Sequence, residues 1–180
     1  MDATRGRIRG VTLIELIIGL TVAVLLLVAA LPAFNDLHEK HKLRGVQHEF
    51  LATLHHAKQA AIARNRRVSL CPTANGRQCL GNGYWHRGWL IFVDRDANRS
   101  PDQGEPVVSR KTGLEQGLTL TSSRYRRVIT FQPTGTAGGS NATFTACIGD
   151  DPGRAAAVVL SRLGRIRLDE GDIDRCPGDS

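Results

Sequence analysis

The chain has 180 residues, with 24 lysines and arginines against 17 aspartates and glutamates, and a formal net charge of +7. That length leaves room for one compact domain beyond a membrane segment and excludes a multidomain array; no internal repeat or long low-complexity tract is present. A basic balance of this size permits a nucleic-acid or membrane-surface partner without requiring one.

The first element is a basic stretch, MDATRGRIRG, which contributes +2 of the net charge through Arg5, Arg7 and Arg9 against Asp2. The run VTLIELIIGLTVAVLLLVAALPAF follows it over residues 11–34, apolar except for Glu15 and the small polar threonines. From Leu16 to Phe34 no residue is charged, which is roughly 28 Å of helix at ~1.5 Å per residue and close to a bilayer core. A carboxylate in such a segment is costly when unpaired, so Glu15 calls for a cation. Cleavage after Gly10 would supply one, because the new α-amino group of Val11 is mostly protonated at neutral pH. A secretory signal peptide would instead be cut after the apolar run, near Ala29, Ala30 and Ala33, and a plain single-span anchor accounts for neither Gly10 nor Glu15.

Gly10 followed by Val11, Thr12, Leu13, Ile14 and Glu15 resembles the processing site of type IV prepilins and type II secretion pseudopilins. The resemblance implies removal of a leader over residues 1–10 by prepilin peptidase, N-methylation of Val11, and a role for Glu15 in assembly with other major and minor pilins. Val11 stands where the usual residue is phenylalanine. Pro32 sits where such pilins commonly carry a helix-loosening proline, which removes one backbone bond. The implied location is the inner membrane, single-pass with the domain in the periplasm, and then a pilus or pseudopilus.

Past the apolar run, residues 35–66 continue as an amphipathic helix. Leu43, Val46, Phe50, Leu54, Ala57 and Ala61 recur at steps of three and four, while Arg44, His48, His55, Lys58 and Arg64 fall on other faces. His41, His48, His55 and His56 read as solvated helix residues, since no carboxylate or cysteine completes a metal site with them.

From residue 67 to 180 the pattern becomes β-type, with candidate strands at 68–71, 89–94, 106–110, 118–122, 127–131, 143–148, 156–161 and 165–168. The fold class is therefore α+β, a long N-terminal helix packed on antiparallel sheets. GWLIFVDRDANRSPDQGEPVVSR, ITFQPTGTAGG, FTACIG and LSRLGRIRL resemble the GspH/FimT group of minor pseudopilins, which implies the type IV pilin-like fold.

Cys71, Cys79, Cys147 and Cys176 all follow the apolar run, and their spacing does not suit zinc. An even count in an exported domain reads as two disulfides. Of three connectivities, we favour Cys71 with Cys79 across the PTANGRQ loop, and Cys147 with Cys176, tying the tail to a strand.

The loop DRDANRSPDQGE places Asp94, Asp96, Asn98, Asp102 and Glu105 at positions 1, 3, 5, 9 and 12 of an EF-hand-like Ca²⁺ loop. Arg99 stands at position six, which a glycine usually fills, and the flanks read as strands. We therefore expect a polar hairpin whose Asp and Asn residues make turns, with calcium the one candidate cofactor.

Two basic features are candidates for a partner. Arg165 and Arg167 alternate with Ile166 and Leu168 after the turn at Arg162, Leu163 and Gly164, so both guanidiniums are expected on the outer face. Alternate strand residues are about 6.8 Å apart, two phosphate steps on one nucleic-acid strand, and suit forked contacts to phosphate. Arg154 and Arg162 widen this patch, and Arg124, Arg126 and Arg127 form a second edge. Gly164, Arg165 and Arg167 resemble the element by which FimT-type pseudopilins of naturally transformable bacteria bind DNA. The resemblance implies sequence-independent DNA binding in DNA uptake. Outward arginines also keep an edge strand soluble, and Asp169, Glu170, Asp172 and Asp174 follow at once. The alternative is thus a purely structural tip or priming subunit of a type IV pilus or a type II secretion system. Tyr84, Trp85 and Trp89 are a weaker candidate for base stacking, Trp89 reading as core. No GxSxG, HExxH or P-loop motif points to an enzyme.

If Glu15 pairs with the Val11 amine of a neighbouring subunit, Glu15→Ala will abolish or sharply reduce recovery in sheared filaments while membrane fractions retain the protein. Normal incorporation of that variant would refute the pairing.

Overall fold

The computed structural model describes residues 12–123, 126–149, 155–169, 173 and 176, the side chains of residues 28–33, 35 and 36 excepted. The chain falls into two compact units, Met1–His38 and Glu39–Ser180, and helix α1, Leu13–Arg64, contributes to both. The cleavage and methylation positions, Gly10 and Val11, lie outside the described residues.

In the first unit α1 begins with a capping box. The Thr12 hydroxyl accepts from the Glu15 backbone N–H at 3.3 Å, and the Glu15 carboxylate accepts from the Thr12 backbone N–H at 3.2 Å and from its hydroxyl at 3.0 Å. The pair satisfies donors that every helix N-terminus leaves open. The T-x-x-E spacing carries that signal in the sequence, so Glu15 has a local role besides the cation pairing expected for it. Leu13, Leu16, Leu20, Leu25, Leu26 and Leu27 are all exposed. Among the described residues no helix is long and apolar enough to cross a membrane. The described apolar side chains stop at Leu27 and resume at Phe34, with residues 28–33 between them.

In the second unit the stripe Leu43, Val46, Phe50, Leu54, Ala57 and Ala61 is buried as expected, joined by Ala60. The helix stops at Arg64, two residues earlier than expected, because Asn65 turns into the left-handed region at φ 47°. Arg66 N–H then donates to Ala61 O at 3.2 Å and Asn65 N–H to Ile62 O at 3.1 Å, the pair of bonds of a Schellman cap.

Among the described residues eight strands follow: β1 (Val68–Pro72), β2 (Gly88–Val93), β3 (Val107–Thr112), β4 (Leu118–Ser122), β5 (Ile129–Phe131), β6 (Ala142–Ile148), β7 (Ala155–Leu160) and β8 (Ile166–Asp169). They match the eight expected, with ends displaced by a residue or two. Two four-stranded antiparallel sheets result, ordered β3-β2-β1-β5 and β4-β6-β7-β8. Both present apolar residues to the α1 stripe: Leu70, Ile91, Ile129 and Phe131 from the first, Leu120, Phe144, Val158 and Leu160 from the second. Phe50 lies at the junction, edge-to-face with Trp85 at 5.5 Å and Trp89 at 5.3 Å, and 4.6 Å from Phe144. The Gln47 side chain donates to Ala157 O at 2.8 Å, a buried bond from helix to β7.

The disulfides pair Cys71 with Cys79 and Cys147 with Cys176, and no described cysteine is free. Inside the first loop, Thr73 Oγ1 accepts from Gly76 N–H and donates to Gln78 O, so the PTANGRQ segment is organised by its own bonds.

Phe50 carries contacts to both sheets, so Phe50→Ala will destabilise the folded domain by roughly 3–5 kcal/mol. Arg44→Ala, on the exposed face, will change stability by less than about 0.5 kcal/mol. Denaturant unfolding of the two variants checks the difference.

Candidate nucleic-acid interface

Residues 161–165 reverse the chain between β7 and β8. Ser161 N–H donates to Arg165 O at 2.9 Å, Gly164 N–H to Ser161 O at 2.9 Å, and Arg165 N–H to the Ser161 hydroxyl at 3.2 Å. These bonds hold Arg165 in the turn, one residue before β8, rather than in the strand where the alternation placed it. Beyond it the pairing runs Leu160 with Ile166, Val159 with Arg167 and Val158 with Leu168. Ile166 and Leu168 pack against the core, whereas Arg165 and Arg167 are exposed. The expected division of faces is present.

Gly164 has a reason that the sequence did not disclose. Its φ is +74°, and a Cβ there would collide with Gly135 O, so only glycine fits. Around that contact Arg162 O accepts from Ala137 N–H at 3.0 Å, and Gly164 O accepts from Lys58 Nζ at 2.9 Å. The turn is thus fastened both to the segment after β5 and to α1. It holds Arg162, Arg165 and Arg167 at the surface, with Leu163 exposed at the tip. Among the described residues none of these arginines is in an ion pair, including with the half-buried Asp169.

Other candidates sort differently. Arg154 and Arg124 lie outside the described residues, as do Glu170, Asp172 and Asp174. Arg126 donates to Asn141 Oδ1 at 3.1 Å, and among the described residues of that edge Arg127 is an exposed cation. Trp85 and Trp89 are buried against Phe50, which removes both indoles from any base-stacking platform. His41, His48, His55 and His56 are exposed. Of the acidic loop, Asp94, Asp96 and Glu105 converge, and Asn98 bridges Asp96 to Asp102 through its amide. The fold also gathers Arg64, Arg66 and Arg95 around an open groove of about 490 Å³. Residues from a helix end and a strand end meet there, and no local pattern announced it.

The turn, the core stripe and the two sheets all fall within or beside the segment that matches the family model described as "Type II transport protein GspH", residues 47–164. The chain belongs to the GspH family. As a GspH-family protein it is 29% identical over 167 residues to "Pilin-like protein PilA1" of Thermus thermophilus, covering 89% of this chain and 98% of that protein. Its fold is similar to two crystal structures of the type IV minor pilin FimU of Pseudomonas aeruginosa, each at 21% identity. One has a TM-score of 0.60 and covers 77% of this chain and 95% of FimU. The other has a TM-score of 0.58, with coverage of 74% and 97%. The α+β arrangement is the type IV pilin fold, and the family is one of pilin-like structural proteins.

Because the Gly164 backbone touches that of Gly135, Gly164→Ala will destabilise the domain by about 2 kcal/mol or more. Thermal unfolding checks this; a variant as stable as wild type would mean that the turn can move off Gly135 freely.

Proposed function

We propose that this GspH-family protein is a minor pilin of a type IV pilus that binds DNA through the β7–β8 turn, as a component of DNA uptake in natural transformation. Three exposed arginines without ion pairs among the described residues, Arg162, Arg165 and Arg167, on a turn bonded to the core at several points are the observation that carries the reading. With the backbone of the turn held in place, only the arginine side chains remain to be ordered when phosphate binds, and fork geometry favours paired contacts to phosphate oxygens. Contacts of this kind carry no base information, so binding is sequence-independent, modest for one subunit and steeply salt-dependent. Repetition of the subunit, or company in a filament, would raise avidity without new contacts.

The N-terminal segment fits the same proposal. Residues 11–34 anchor the unassembled protein in the inner membrane with the domain in the periplasm. Prepilin peptidase cuts after Gly10, Val11 is methylated, and Glu15 meets a neighbouring amine in the filament. An apolar helix with exposed side chains all round needs lipid or other helices to cover it, which supports both stages. Two disulfides suit an oxidising compartment.

The second reading is a structural tip or priming subunit of a type IV pilus or a type II secretion system without DNA binding; the family description, a type II transport protein, favours the secretion system as its setting. The names of PilA1 and FimU favour the pilus.

A titration of the full chain in mild detergent with duplex and single-stranded DNA, at low and physiological salt, separates the two. Under the DNA-binding reading, Arg165→Gln/Arg167→Gln lowers affinity at least tenfold and reduces the slope of log K against log salt by about 2. Absence of binding, or binding indifferent to the double substitution, would leave the structural role.

A further inference from the structure

We propose that the loop between β2 and β3 is a Ca²⁺ site whose ligands are Asp94, Asp96 and Glu105. One carboxylate oxygen from each lies within 4.8 Å of the others. That is about the widest separation of two oxygens across a Ca²⁺ ion bound at roughly 2.4 Å. The three carboxylates bring three formal negative charges to one point, a placement that repels itself unless a cation enters.

Asp94 supplies the independent observation. It is 1% exposed at the end of β2, and its Oδ1 has no hydrogen-bond partner. Its Oδ2 accepts from the Ser69 hydroxyl at 2.8 Å, and Ser69 is bonded in turn to the Thr130 hydroxyl at 2.9 Å. A buried carboxylate oxygen without a donor is costly, and such groups are normally paired or bind a metal. Arg67 and Arg99 line the same cavity as Asp94, about 160 Å³, yet among the described residues neither forms an ion pair with it. Arg67 Nε donates to Gln132 Oε1 instead.

The rest of the loop is arranged to receive it. Glu105 accepts from Arg95 N–H at 2.6 Å and from Asp102 N–H at 3.3 Å, one bond to each carboxylate oxygen. Each oxygen therefore keeps a lone-pair direction for a metal. Asp96 Oδ1 accepts from Asn98 N–H at 3.1 Å, and the Asn98 amide joins Asp96 to Asp102, which puts a fourth carboxylate one side chain away. The objection raised by Arg99 at the usual glycine position falls: Arg99 adopts φ +65°, the left-handed conformation for which glycine is favoured, and Ala97 does so at +66°. The strand flanks remain, so this is a hairpin loop with EF-hand-like ligand spacing rather than an EF-hand. An all-oxygen donor set with flexible spacing suits Ca²⁺ over Mg²⁺, which demands a tighter octahedron and dehydrates reluctantly. Through Asp94, Ser69 and Thr130, the ion would tie the β2–β3 hairpin to β1 and β5.

The test is calorimetric titration and thermal unfolding of the full chain in detergent after dialysis against EGTA. We expect one Ca²⁺ site per chain with Kd on the order of 10⁻⁴–10⁻³ M. The Tm should rise by about 4 °C at about 10 mM CaCl₂ and little in MgCl₂. Asp94→Asn alters a buried group and is apt to affect folding, so the decisive variant is Asp96→Asn/Glu105→Gln at the loop surface. In EGTA it should be at least as stable as wild type, since two of the three mutually repelling charges are gone, and it should lose both the heat and the Tm shift. No Ca²⁺ response in the folded wild type, an equal response to Mg²⁺, or an undiminished response in the double variant would each overturn the assignment.

Discussion

The burial of one face of α1 between two sheets is the constraint on which the domain depends. Phe50 touches Trp85, Trp89 of β2 and Phe144 of β6, and Trp85 also meets Phe144 edge-to-face at 5.3 Å, so one aromatic cluster around a helical residue spans both sheets. Each four-stranded sheet has an apolar face that needs a cover. The helix stripe supplies what each lacks, and Gln47 adds a buried bond to β7. Once α1 is seated, Lys58 lies where it can donate to Gly164 O. The placement of the arginine turn therefore follows from the packing of the helix.

That dependence changes how the glycine and arginine residues of the turn are understood. Gly164 is required by its backbone approach to Gly135, whereas Arg165 and Arg167 are exposed and bond to nothing in the described chain through their side chains. One short element thus combines a residue that serves stability with neighbours that are free to serve a partner. Surface arginines do not ordinarily need such a rigid mount, and their support from α1 and from the segment after β5 is what distinguishes them from the arginines at the edge of β5.

The acidic loop lies at the opposite extreme. Its charges converge, and one of them is drawn into the domain beside Ser69 and Thr130. Electrostatically the two regions ask for different partners, an anion at the turn and a cation at the loop. They are separate elements of one fold, the turn joining β7 to β8 and the loop joining β2 to β3.

Patterns that depend on near neighbours were legible in the chain itself. The stripe from Leu43 to Ala61 follows from the 3.6-residue period, all eight strands follow from short β-type runs, and the outward direction of Arg167 follows from alternation against Ile166 and Leu168. The short disulfide was legible for the same reason, a loop small enough to suggest its own closure. Only the tertiary structure decided the exclusion of any side chain at Gly164, the burial of Asp94 with an unpartnered oxygen, and the groove joining Arg64 and Arg66 to Arg95. Each of these depends on atoms brought together from distant parts of the chain. Local periodicity records which face a residue occupies, but what stands opposite that face is set by packing between elements.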